Sequence, residues 1–105
     1  MDVLLHYTPE PFDFGCPNVS AAWKKWQQRF ALFLTASGNS DASSAKKVAI
    51  LLTILGERGY DIYSNFRWAP AEGDRDAENR NDFDTVLRKF EQYSNTRNPV
   101  MALRA

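Results

Sequence analysis

The side chains best suited to chemistry are few, and their spacing does not favour it. His6 and Cys16 are the single histidine and single cysteine of the 105-residue chain. A histidine beside a cysteine can act as base and nucleophile. Here they stand ten positions apart with Pro9 and Pro11 between them, so nothing holds them in reacting geometry. The pair is also too small a donor set for zinc. Residues 74–85, "DRDAENRNDFDT", begin like a calcium-binding EF-hand loop, with acids at Asp74, Asp76 and Glu78. Such a loop needs glycine at its sixth position and a bidentate glutamate at its twelfth. Asn79 and Thr85 stand there instead, so the segment reads as a solvated acidic loop. Asp84-Thr85 opens an aspartic-protease-like triplet without the glycine that must follow. No nucleophile elbow or glycine-rich phosphate loop is present. The expectation is no enzyme, no catalytic residue, no metal and no cofactor.

The aromatic side chains carry more information. Phe12 and Phe14 lie among prolines, and Trp23, Trp26, Phe30 and Phe33 follow at helical spacing. A stripe of this kind serves first as core, because a small helical domain needs that much apolar area to fold. Phe12 and Phe14 are two apart in an extended segment, so both rings can point to one side. A fully exposed pair would be a liability, so the spacing predicts that they pack near Trp23 or Trp26. Phe12, Phe14, Trp23 and Trp26 are therefore the candidate docking residues, for the arm itself or for a peptide.

The elements that position these residues are helical. Residues 1–17 hold Pro9, Pro11 and Pro17 and predict an extended arm. Residues 18–105 predict one helical domain. Its first helix runs from Val19 to about Ser37, with Asn18 as N-cap and Gly38 past its end. Val19, Trp23, Trp26, Phe30, Phe33 and Leu34 share its apolar side. A second helix covers about 43–56, with Asp41, Ser43 and Ser44 as possible caps. Val48, Leu51, Leu52 and Leu55 form its core face. Ile50 and Ile54 widen that face, which suggests a central helix, and Gly56 and Gly59 bracket its end. "YDIYSNF" predicts a short third helix through Ile62, Tyr63 and Phe66. A fourth covers about 80–94 with Phe83, Val86, Leu87, Phe90 and Tyr93. Asn98-Pro99 opens a short last helix. No sustained period-two run competes. The fold class is all-α: a compact bundle of four main helices plus a short C-terminal one, behind a Pro-rich arm.

Totals narrow the function classes. Hydrophobic residues make up 44% and aromatics 13%, a globular composition. Thirteen basic and thirteen acidic residues cancel, which disfavours a domain built to grip nucleic acid or an acidic membrane. Residues 71–84 carry six acids and two bases, an exposed loop leading into a helix start. No apolar run approaches the ~20 residues of a membrane span. The first residues lack a basic start and a long apolar segment, so a cytoplasmic setting is expected.

The order of fragments is also informative. "PEPFDF", Trp23 and Trp26, "RF", "ASG", "LL" with "LGERGYDIYSNF", and "FDTVLRKFEQYSNTRN" together resemble the capsid region of Gag from gypsy-like LTR retrotransposons. Domesticated Gag proteins such as Arc share that ancestry. The resemblance covers about Pro9 to Arg104. It implies a capsid amino-terminal lobe that is part of a longer protein and self-associates into hexamers and pentamers of a particle shell. It also implies an alternative, an Arc-like lobe whose groove accepts an extended peptide. Zinc-knuckle and basic-tail features are absent from this sequence, so nucleic acid would be met only through other regions. The outer face of the first helix, with Ala21, Lys25, Gln28 and Leu32, lies opposite the aromatic stripe. An exposed leucine is ordinary by itself. The resemblance implies a subunit contact there, joined by Ile50 and Ile54 of the second helix.

Overall fold

Helix starts and stops are set by local chemistry. The Ser43 hydroxyl accepts from the Lys46 N–H at 3.1 Å and opens the longest helix. The Asp82 carboxylate accepts from the backbone N–H and the hydroxyl of Thr85 and opens the helix that begins at Phe83. Gly38 closes the first: its N–H donates to Thr35 O at 3.1 Å, and the Asn39 N–H donates to Leu34 O at 2.8 Å. That pair of bonds is a Schellman stop. Asn18 occupies the N-cap position, but its side chain makes no capping bond; its backbone is left-handed instead.

The computed structural model describes residues 8–96. They form α1 (Val19–Ala36), α2 (Ser44–Ser64) and α3 (Phe83–Thr96). Among the described residues there are thus three helices, where four main ones were expected. The expected second and third helices run together as α2. Gly56, at φ 78° and ψ −162°, departs from helical geometry inside it, and the helix resumes at once. That conformation is essentially confined to glycine, so one residue absorbs the whole break. Gly59 does not end a helix either. It is buried, and a Cβ there would sit 2.4 Å from the Leu55 Cβ. Its missing side chain lets the turn after the break close onto Leu55. The expected short last helix lies outside the described residues, as do the first seven residues of the arm.

The core joins all three helices and the arm. Val19, Trp23, Trp26, Phe30 and Leu34 come from α1; Val48, Leu51, Leu55 and Ile62 from α2; Val86 and Phe90 from α3. Phe12 and Phe14 complete it. The second helix was expected to be central. Instead α3 packs against both α1 and α2. Phe90 marks the meeting point, with ring centroids 5.5 Å from Trp23, 6.0 Å from Phe14 and 4.9 Å from Phe66. Two residues expected on core faces, Phe33 and Leu52, are only half-buried. Each sits at the edge of its helix's apolar arc.

Residues 65–82 link α2 to α3. Within them, Glu72 and Arg75 pair as an isolated antiparallel bridge, and the Glu78 N–H donates to Ala69 O at 2.8 Å. The acidic stretch is therefore a short hairpin over 69–78. Among the described residues no helix is long and apolar enough to cross a membrane.

Candidate protein-docking groove

The arm is bound to α1 by rings and one polar bond. Phe12 meets Phe14 edge-on at 4.8 Å and Trp23 at 5.3 Å, and lies 6.2 Å from Trp26. Such edge-to-face pairs add to the burial itself. The Trp26 Nε1–H donates to the backbone oxygen of Glu10 at 2.6 Å. Asp13 then turns the chain toward α1, its carboxylate accepting from the Gly15 N–H at 2.9 Å. Phe14 reaches past α1 to α3, with Tyr93 at 5.8 Å and Phe90 beyond.

Between the arm and α1 lies an open groove of about 1090 Å³. Pro9, Pro11 and Phe12 form the arm wall. Trp26, Phe33 and Leu32 form the helix wall, with Lys25 and Arg29 along it. Glu10 and Asp13 border the other side. Leu32 is 70% exposed, the most exposed large hydrophobic residue among those described. Among the described residues, Lys25 and Arg29 make no ion pair.

The candidate residues divide as follows. Phe12 and Trp26 line the groove, while Phe14 and Trp23 lie beneath it as core. Lys25 and Leu32, read as outer face, line the same groove. The docking set and the interface set thus meet along one side of α1. Gln28 lines a smaller cleft of about 310 Å³ between α1 and α3, with Phe83 and Leu87. Ala21 is exposed. Ile50 and Ile54 are half-buried against the core, away from this groove's lining. Sequence reasoning missed Arg29, Pro9 and Pro11 as lining residues. One signal was available: Ala22, Lys25, Arg29, Leu32 and Ala36 repeat at alternating three- and four-residue steps, a second stripe beside the core one.

A second cluster anchors the hairpin. The Lys89 ammonium pairs with Glu78 Oε1 at 2.8 Å and donates to Arg67 O at 2.8 Å. It also lies 5.0 Å from the Trp68 ring centroid. Arg88 takes Glu78 Oε2 at 3.2 Å. The Ala69 N–H donates to Glu78 Oε1 at 2.8 Å. That backbone bond, then Lys89, holds the Glu78 carboxyl below its ordinary value. Glu78 is thus engaged as a structural tie. Among the described residues no three His, Cys, Asp or Glu side chains gather in a way that could hold a metal ion.

The arrangement offers an apolar trough with charged rims, suited to binding a chain segment or a second surface. No protein-family model, curated protein or solved structure matches this chain.

Proposed function

We propose that this chain is a protein–protein assembly domain, the amino-terminal capsid lobe of a retrotransposon-derived Gag protein. It self-associates through the outer side of α1 as part of a particle shell. The carrying observation is Leu32, 70% exposed beside a long apolar groove on a helix that contains no acidic residue. An exposed leucine beside an apolar groove offers area that a second surface can cover. The order of sequence fragments that resembles gypsy-like Gag adds the identity of the partner: another copy. The reading assigns the chain no catalysis and no cofactor, and a cytoplasmic setting. Single contacts between such lobes are weak, and closed symmetry with many copies supplies the affinity.

The test is Leu32→Glu, in the chain and in a longer capsid protein containing it. Helical circular dichroism should be retained, because Leu32 lies outside the core. Association and particle formation should be lost, because a charged, hydrated side chain would replace the apolar one in the contact. Normal particles from the folded variant would remove this face from the interface.

A second reading is favoured by the groove's shape. Its arm wall, with Phe12, and its helix wall, with Trp26, suit an extended peptide, as in an Arc-like domesticated lobe. Peptide titration that saturates, shifts the Trp26 indole resonance and leaves self-association unchanged would select this reading.

A further inference from the structure

We propose that the 69–78 hairpin of one copy docks against the Lys25–Arg29–Leu32 wall of α1 in a second copy. This rests on the assembly reading and names the pair of surfaces that meet.

The two surfaces are opposite in charge. The 18 residues of α1 include Lys24, Lys25 and Arg29 and no Asp or Glu. None of these three bases has an ion-pair partner among the described residues. The hairpin carries Glu72, Asp74 and Asp76 on its exposed part. Arg75 takes Glu72 at 3.3 Å, and Asp74 and Asp76 have no ion-pair partner among the described residues. The chain's net charge is zero, so overall repulsion does not oppose contact between copies.

The hairpin is ready for docking. The Glu72–Arg75 bridge and the Ala69–Glu78 bond fix its backbone, so little ordering is required on binding. Glu78 ties its base to Arg88 and Lys89 of α3, and no ion pair joins it to α1 of its own chain among the described residues. Its exposed apolar residues, Pro70, Ala71 and Ala77, are small and can lie over Leu32. Glu10 and Asp13 on the arm repel an acidic guest from the deep groove. The hairpin therefore seats on the helix side, where Arg29 and Lys25 stand one and two turns before Leu32.

Because the surfaces differ, the contact is head-to-tail. Each docking leaves one hairpin and one α1 wall free, so successive copies form a ring if the rotation closes and a filament if it does not.

The experiment uses the 105-residue chain and two charge reversals: Lys25→Glu with Arg29→Glu, and Asp74→Lys with Asp76→Lys. All four positions are exposed, and circular dichroism checks the fold. Sedimentation velocity over a concentration series reads association. The unaltered chain should be monomeric when dilute and associate as concentration rises, with affinity falling roughly tenfold as salt rises from about 20 to about 500 mM. Each double variant alone should stay monomeric, since it carries one sign on both surfaces. An equimolar mixture of the two should recover association. Association of either variant at the native level would overturn the pairing and leave the assembly reading in place through another face. Failure of the mixture to recover would also overturn it. A native chain that stays monomeric throughout would overturn both.

Discussion

The indole of Trp26 donates its N–H to the backbone oxygen of Glu10 at 2.6 Å, sixteen residues away. This bond and the Phe12 ring hold the arm on α1. Truncating a buried aromatic typically costs ~3 kcal/mol or more; at this edge of the body Phe12→Ala should cost about 2–3 kcal/mol. Trp26→Phe keeps a ring and loses the donor, and should cost about 1 kcal/mol. Urea unfolding midpoints read both. An unchanged midpoint for Phe12→Ala would show that the arm adds nothing to the fold.

The two glycines of α2 should respond to alanine against the usual helical trend. Alanine at an exposed helical site ordinarily gains about 1 kcal/mol over glycine. Gly56→Ala places a Cβ in a glycine-only conformation and should lose about 1–3 kcal/mol. Gly59→Ala sets a Cβ 2.4 Å from that of Leu55 and should lose a similar amount through overpacking. Thermal melts decide the sign. A higher melting temperature for Gly56→Ala would mean that α2 straightens freely.

Glu78 should give the fold an acid sensitivity. Its folded pKa lies below the ordinary 4.5, chiefly through the Ala69 N–H and next through Lys89. A lowered folded pKa means that its contribution is present above the unfolded value and is lost as pH falls through the folded one. Glu78→Gln should therefore melt lower than the native chain at neutral pH. The gap should narrow as pH drops below about 4.5. A gap that stays constant across that range would assign the effect to shape and not to charge.

Ser94 is fully buried on α3, and its hydroxyl has no hydrogen-bond partner among the described residues. Burying an unpaired hydroxyl costs free energy, and alanine is also the better helix former. Ser94→Ala should raise stability by about 1 kcal/mol. Calorimetry that finds a loss instead would reveal a partner for the hydroxyl.

What the sequence made legible depended on how local each cause was. The bounds of α1 were readable because one apolar period and Gly38 define them within the segment. The break at Gly56 was readable as a helix end; that the helix resumes was not readable, because a glycine that stops a helix and one that interrupts it both leave helical geometry. Which occurs depends on whether Ile62 and Phe66 beyond it find a core to join. The hairpin over 69–78 looked like an acidic loop because its anchor, Lys89, lies on the next helix. The groove was half legible: the arm rings and the outer face of α1 could each be named. Only folding the arm onto the helix makes them two sides of one trough.

Phe90 touches the arm through Phe14, α1 through Trp23 and the chain after α2 through Phe66. No one of those segments can leave without uncovering a ring that the others share. Local opening should thus spread across the molecule and not stay in one element. A guest that levers the arm from α1 would loosen the far end of α2 as well. Hydrogen exchange would register that distant loosening as faster amide exchange around Ile62, well outside the groove itself.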